Sequence, residues 1–169
     1  MKRFEQQEKE NNMKIFAVID TNVIVSALIS KHSDSSTVLV LESIFHGIVT
    51  PIYNDEILHE YNAVLRRSKF NFSENRIKAT LETIVAKGIH SERLNIGDIL
   101  PDPKDLVFYE VALSQEDSYL VTGNIKHFPK KPFIVTPTEM VAIISEMQEI
   151  GNRILSEAGA WYGKRGAGL

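Results

Sequence analysis

Four polar residues stand where an α/β protein can carry out chemistry. Asp20, in IDTNV, directly follows the apolar run 14–19, which is predicted to be a buried strand. Asn124 follows a second predicted strand, SYLVT, after one glycine, and Asp105 lies in the first turn of the helix that leads into that strand. Glu60 lies on the border of the inward face of another predicted helix. Because ligands bind beyond the carboxyl ends of parallel strands, we expect these residues at one edge of a sheet.

Carboxylates that converge at one edge repel each other unless a cation offsets their charge. Mg²⁺ or Mn²⁺ suits oxygen ligands of this kind, because such an ion takes one or two carboxylates, keeps several waters and binds substrate phosphate. It also activates water for attack and stabilises charge that develops on phosphorus. The residue types therefore favour metal-assisted hydrolysis of a phosphate ester.

Each acid also has a simpler explanation. An aspartate at the end of a strand can begin a turn by binding backbone amides, which would account for Asp20 alone. Asp102 and Asp105 are explained as the cap and first-turn acid of a helix, and Glu60 as a solvated helix acid. Glu110 is expected at the surface, as is Asp117. The hypothesis of a site depends on the joint arrangement.

Other kinds of site find less support in the sequence. The absence of cysteine excludes disulfides, thiolate catalysis and cysteine-based zinc sites. The five histidines show no H-x-x-x-H spacing, and neither G-x-G-x-x-G nor a P-loop is present. A phosphotransferase of the haloacid dehalogenase type also begins with an aspartate after the first strand, but Asn22 stands where its second aspartate is expected. An aspartyl-phosphate on Asp20 would revive that alternative.

The elements that must position these residues alternate between strands and helices. Strands are predicted at 14–19, 48–52, 118–122 and 133–135, with a weaker one at 93–96 and with Pro51 at a strand end. Helices are predicted to begin after Asp34, Asn54, Ser73, Asp102 and Thr136, the last through a T-x-x-E capping box and ending near Met147. This alternation predicts a three-layer α/β/α sandwich with a mainly parallel central sheet.

The chain of 169 residues is expected to form one domain over 14–148, with terminal extensions at 1–13 and 149–169. The Gly-rich end GAWYGKRGAGL is predicted to be a loose tail. A net charge of -3 means that any nucleic-acid contact must come from a local basic patch. No signal peptide or membrane-length apolar run is evident, so we expect a cytoplasmic protein without membrane contact.

Three blocks in order resemble the PIN domain, the nuclease fold of many toxins (VapC-like) in bacterial toxin–antitoxin systems. They are VIDTNVIVSAL, EILHEYNAVLRR and DPKDLVFYEVALSQEDSYLVTGNIKHF, which carry Asp20, Glu60 and Asp105 as the family's acids. The resemblance covers about residues 14–147. It implies a Rossmann-like fold, a Mg²⁺- or Mn²⁺-dependent endoribonuclease, an antitoxin protein laid across the active-site groove and a homodimer.

The resemblance also implies a role for each site residue. Asp20 and Asp105 would be metal ligands, Glu60 would be a ligand or would orient water, and Thr122 would support the cluster through its hydroxyl. Thr21 and Asn22 stand beside the first acid.

One residue departs from the family pattern, which has an aspartate where this chain has Asn124. An amide oxygen offers a metal less charge, so we expect one good metal site and a slower or more metal-demanding nuclease. The alternative is a PIN-like module that binds RNA or protein with weak or no catalysis.

RNA phosphates need a basic surface beside the acids. The first candidates follow Asn124 in the chain: Lys126, His127, Lys130 and Lys131. A second set, Arg66, Arg67 and Lys69, follows the Glu60 helix, where Arg66 and Arg67 are equally well explained as charges that complement its dipole.

Overall fold

The computed structural model describes residues 14–166, of which 158 and 161–166 are described by their backbone alone. The extension 1–13 and the last three residues of the predicted tail lie outside this range. Five strands form one parallel sheet of order β3-β2-β1-β4-β5. They are β1 (Ile15–Ile19), β2 (Val49–Tyr53), β3 (Ile89–His90), β4 (Ser118–Val121) and β5 (Ile134–Val135).

Six α-helices flank the sheet, which confirms the predicted α/β/α sandwich. They are α1 (Thr21–Ile29), α2 (Ser36–Phe45), α3 (Asp55–Leu65), α4 (Glu74–Lys87), α5 (Leu106–Leu113) and α6 (Pro137–Gly166). Short 3₁₀ turns lie at Ser68–Phe70, Pro103–Asp105 and Ile125–His127. No helix within 14–166 is long and apolar enough to cross a membrane.

The order of the strands fixes where a site can form. From β1 the chain builds outward through β2 to β3, then returns through α5 to place β4 on the other side of β1. The order reverses between β1 and β4, and in open parallel sheets the crevice beyond such a switch point is where ligands bind. Ile19 pairs with Val121 at the carboxyl ends of these strands, so the residues that follow them meet.

The sheet is positioned by apolar residues that are buried on both of its faces. Ala17 and Val18 on β1 and Leu120 and Val121 on β4 are fully buried, as expected for central strands of a parallel sheet. Phe108 of α5 is also fully buried, and this helix packs against β1 and β4. The two strands that carry the site are therefore held rigidly.

Local signals predicted the helix starts well. Asn54 accepts a hydrogen bond from the backbone N–H of Ile57, and Ser73 caps α4 in the same way. The capping box is confirmed, because Thr136 and Glu139 exchange hydrogen bonds of 2.8 and 3.2 Å.

Two strand predictions are wrong. Pro51 lies inside β2 instead of at its end, and it is tolerated because pairing with β3 begins only at Ile52. Residues 93–96 form no strand; the third strand is Ile89–His90, and an irregular segment, 91–100, follows it.

Two helices differ from the sequence prediction. The helix α1 was not predicted, because TNVIVSALI is apolar at nearly every position and shows no clear period. The helix α6 continues to Gly166 instead of ending near Met147, so the described part of the predicted loose tail is helical. The domain boundary at 148 stays a prediction.

Candidate active site

Asp20 is a buried carboxylate at the switch point of the sheet. It lies between β1 and α1, its backbone N–H donates to the carbonyl of Val121, and it is 5% exposed. Thr122 donates from its hydroxyl to Asp20 Oδ2 at 2.6 Å, and Asn22 Nδ2 donates to the same oxygen at 2.9 Å. Both side-chain hydrogen bonds therefore end on Oδ2, and Oδ1 receives neither of them.

Glu60 is held beside Asp20 by the first residue of α1. The Thr21 hydroxyl donates to Glu60 Oε1 at 2.7 Å, which ties α1 to α3. The next residue, the buried Tyr61, donates from its hydroxyl to the carbonyl of Ile19, the residue before Asp20. This contact joins α3 to the end of β1 and thereby positions Glu60 relative to Asp20.

Asp105 is the last residue of the 3₁₀ turn that precedes α5. Asp102 caps this turn by accepting from the backbone N–H of Lys104, as predicted. The Asp105 carboxylate is mostly buried, and its Oδ2 lies 2.9 Å from Nδ1 of His127. His127 was predicted to bind RNA; its contact with Asp105 was not predicted, because the two residues lie far apart in sequence.

The three acids act on each other electrostatically. Burial raises the pKa of Asp20 from 3.8 to about 6; the Thr122 hydrogen bond opposes this rise, and the charges of Asp105 and Glu60 add to it. Burial together with Asp20 and Glu60 also raises the pKa of Tyr61 well above its usual range. Burial raises the pKa of Asp105, and the bond from His127 works against that rise. The charges of Asp105 and Glu60 thus act on Asp20, and the joint role of the three acids stays a prediction.

The carboxylate oxygens are of the kind that a hard divalent cation takes, but they do not form a complete set of protein ligands. Within residues 14–166 no group of three or more His, Asp or Glu side chains is placed to hold a metal ion. Asp20, Glu60 and Asp105 each give one oxygen to a protein donor, which leaves the other oxygen of each carboxylate for a different partner. Mg²⁺ commonly takes one or two carboxylates and keeps its waters, so an open set of this kind suffices.

A groove of about 780 Å³ leads away from Glu60 along α3. Its walls include three basic residues, Arg67, Arg93 and Lys104. The walls also include the acids Asp55 and Glu56 beside Glu60, and Arg93 is paired with Glu56, so the groove is mixed in charge. Within the described residues, Arg67 and Lys104 are the basic residues of its walls that form no ion pair. Of the three basic residues, only Arg67 was considered from the sequence.

The loop after β4 carries the remaining predicted residues. The backbone N–H of Asn124 donates to the Thr122 hydroxyl at 2.9 Å, and Asn124 itself is exposed. Lys126, Lys130 and Lys131 are also exposed in this loop. Their role in RNA binding stays a prediction.

Glu110 was expected at the surface, and that expectation is wrong. Its side chain is 2% exposed and pairs with Arg93, which also reaches Glu56 at 2.9 Å. The pairing holds the segment 91–100 against α5, helped by the backbone bond from Leu94 to the Glu110 carbonyl. No local pattern signals this partner, because it comes from a segment without secondary structure.

The fold and the site together define a Rossmann-like α/β/α protein with an acidic pocket at its switch point. Comparison with family models matches the PIN domain over residues 17–126, more than half of the chain. The chain therefore belongs to the PIN-domain family, whose members are generally nucleases. Comparisons with curated proteins and with solved structures gave no significant match.

Proposed function

We propose that this protein is a Mg²⁺- or Mn²⁺-dependent endoribonuclease that hydrolyses phosphodiester bonds in RNA. The observation that carries the proposal is the buried Asp20 carboxylate at the switch point of a PIN domain, on which the charges of Asp105 and Glu60 act. Asp20 and Asp105 would hold the cation, and Glu60 would bind it or orient water. A bound cation would supply activated water and stabilise charge on the phosphate.

The other residues of the pocket hold the three acids in place. Thr122 and Asn22 fix the rotamer of Asp20 through Oδ2, and Thr21 fixes Glu60 through Oε1. His127 fixes Asp105 and lies at the mouth of the pocket, with 45% of its side chain exposed. These residues are positioning residues in the proposal, because their contacts are with the acids.

The resemblance to toxins of toxin–antitoxin systems extends the proposal to biology. In that role the protein would be cytoplasmic, form a homodimer and be inhibited by an antitoxin protein that covers the groove beside Glu60. An extended ligand could lie along the groove, with its negative charges near Arg67 and Lys104. Such a ligand is either RNA or an extended peptide with acidic side chains. Sedimentation of the purified protein tests the dimer.

The decisive experiment is cleavage of structured and unstructured RNAs with Mg²⁺, with Mn²⁺ and with EDTA. We expect metal-dependent cleavage by the wild type and a loss of at least about 100-fold in Asp20→Asn, because a preorganised charged group typically contributes that much. Asp117→Asn is the matched control: it lies before β4, at the opposite edge of the sheet, and asparagine tolerates its φ of 56°. Equal activity in wild type and Asp20→Asn would indicate a contaminant and contradict the proposal.

A second candidate function is a PIN-like binding module with weak or no catalysis, and Asn124 is the observation in its favour. Asn124 stands next to the acids through its bond to Thr122 but adds no charge. We expect Asn124→Asp to tighten Mn²⁺ binding in calorimetry and to raise the cleavage rate. If both quantities stay unchanged, the asparagine does not limit metal binding.

A further inference from the structure

The segment 66–76, RRSKFNFSENR, combines basic and aromatic residues, and the proposed catalytic site does not use its rings. It begins where α3 ends, and α3 is the helix that carries Glu60. From Glu60 to Arg67 the helical rise is about 10 Å, at 1.5 Å per residue. Arg67 lines the same groove as Glu60. The segment therefore begins in the groove that Glu60 lines and continues beyond it.

Two aromatic rings in this segment form a stacked pair. The ring centroids of Phe70 and Phe72 are 5.5 Å apart, and the ring planes are inclined by only 12°. Between them Asn71 adopts the left-handed conformation, with φ of 50°, which asparagine tolerates better than most residues. Phe72 packs against the hydrophobic core, and Phe70 stacks on Phe72. The core thus anchors one ring, which supports the second, half-buried ring.

Cations surround the two rings. Lys69 Nζ lies 4.9 Å from the Phe70 centroid, and Arg76 Cζ lies 5.9 Å from the Phe72 centroid. The Arg66 side chain instead forms an ion pair with Glu74 and a hydrogen bond with Asn62. In the described part of the chain, neither Arg67 nor Lys69 forms an ion pair, and both are exposed.

Packing alone explains part of this arrangement, since basic side chains often lay their apolar stems over aromatic rings. It does not explain why the rings follow closely after Arg67, which lines the groove beside Glu60 and forms no ion pair within the described residues. Proteins that bind single-stranded nucleic acid combine these two features: a basic groove along the backbone and an aromatic face on which a base stacks. Duplex RNA does not fit this pattern, because its bases are already stacked on each other.

We propose that Phe70, supported by Phe72, is a stacking site for an unpaired base of the RNA, and that Lys69 and Arg67 bind the phosphates between this base and the catalytic acids. This inference rests on the proposed nuclease function, because the acids define where the strand is cut.

The test measures binding of a short fluorescent single-stranded RNA by anisotropy, in the Asp20→Asn background so that no cleavage interferes. We expect Phe70→Ala to weaken binding by roughly 5- to 100-fold, the effect of removing one stacked base. Phe70→Tyr should bind like the parent, and Phe70→Leu should lose as much as alanine, because leucine keeps apolar bulk but has no ring. Phe45→Ala is the matched control, a partly exposed ring on α2 that should leave affinity unchanged.

Two further measurements separate stacking from charge. Lys69→Gln should reduce the slope of log affinity against log salt by about 0.7, whereas Lys87→Gln, an exposed lysine at the end of α4, should leave it unchanged. Binding of a fully paired duplex should be equal for the parent and Phe70→Ala. Thermal unfolding of each variant, with a midpoint like that of the parent, verifies that the fold is kept.

Several outcomes would overturn the stacking site. Unchanged affinity of Phe70→Ala and Phe70→Leu for single-stranded RNA would remove it, and metal-dependent cleavage by the wild type would then leave the proposed function standing. A change of oligomeric state in Phe70→Ala, with RNA affinity unchanged, would make the rings a protein interface. No binding by any variant and no cleavage by the wild type would overturn both proposals.

Discussion

Asp20 is buried, although the proposed chemistry needs its carboxylate in the charged form. It is 5% exposed, two other acids act on it, and its pKa is raised to about 6. If this residue had only a structural role, a neutral side chain would be more stable here, since burying a carboxylate costs free energy unless hydrogen bonds or a cation offset it. Thr122 and Asn22 compensate part of that cost through Oδ2. A bound cation would offset the rest of the cost of burying the Asp20 charge.

The raised pKa predicts how stability depends on pH in the metal-free protein. The Asp20 carboxyl has a pKa near 3.8 when unfolded and about 6 when folded, so the native state binds more protons between these values. The free energy of unfolding therefore falls as pH rises through this window, by about 3 kcal/mol in total. Urea denaturation in EDTA should show Asp20→Asn more stable than the wild type at neutral pH.

The same experiment has two internal controls. Below about pH 3 the two proteins should be equally stable, because Asp20 is then protonated in both the folded and the unfolded state. At neutral pH a saturating concentration of Mn²⁺ should stabilise the wild type and leave Asp20→Asn nearly unchanged. If the wild type is the more stable protein in EDTA at every pH, Asp20 is not a site of uncompensated charge.

Sequence reasoning located the acids of the candidate site but not all of their partners. Asp20, Asp105 and Thr122 are placed by their position at strand and helix ends, which local patterns reveal. His127 on Asp105 depends on how the loop after β4 folds back towards α5. Contacts of this kind join residues that are distant in the chain, and no periodicity carries information about them.

At the scale of elements, the sequence predicted those with a clear period or cap. The starts of α3, α4 and α6 and the strands β1 and β4 were predicted correctly. The helix α1 was missed because its apolar residues are not confined to one face: Val23, Ile24 and Leu28 are buried, but Ile29 is 53% exposed, so no clear helical period shows. The strand β3 was misplaced because a two-residue edge strand carries almost no signal of its own.

The segment 91–100 has no regular structure, and the ion pairs of Arg93 help to hold it against α3 and α5. Arg93 binds the buried Glu110 and the exposed Glu56, and Arg93 itself lines the groove beside Glu60. Removing Arg93 would leave Glu110 buried without a partner, which is far more costly than losing a surface pair. The wall of the groove and the stability of the fold thus depend on the same arginine.

We expect Arg93→Met to lower the free energy of unfolding by roughly 2–4 kcal/mol, below the value for a fully buried pair because 31% of the arginine is exposed. The double variant with Glu110→Met should recover most of this loss, since the unpaired charge is then gone. Lys78→Met breaks the exposed pair with Glu82 and should change stability little. Urea denaturation of the four proteins makes the comparison. A double variant no more stable than Arg93→Met would contradict the role of buried charge.

At the scale of the whole molecule, α6 belongs to the core for only part of its length. Met140 and Ile144 are buried and Met147 packs against the core, and α6 contacts α2. Beyond them the apolar residues become progressively exposed: Ile150 is 37%, Ile154 46% and Leu155 69% exposed. The matched PIN region ends at residue 126, well before this helix. The helix thus combines a part that completes the sandwich with a part that projects from it.

This division predicts that a protein of residues 1–148 folds as stably as the full chain. Among the side chains that the structure describes beyond 148, the apolar Ile150, Ile154 and Leu155 already meet solvent, so we expect the urea midpoint hardly to change. Truncation at 136 is the matched control: it deletes Met140 and Ile144 and should cost several kcal/mol, as cavities of this size do. Equal losses in both truncations would place the second half of α6 inside the cooperative unit and move the domain boundary beyond 148. Sedimentation of the full chain and of 1–148 then tests whether the proposed dimer needs residues 149–169, because Asp20, Glu60, Asp105 and the groove lie within 14–148.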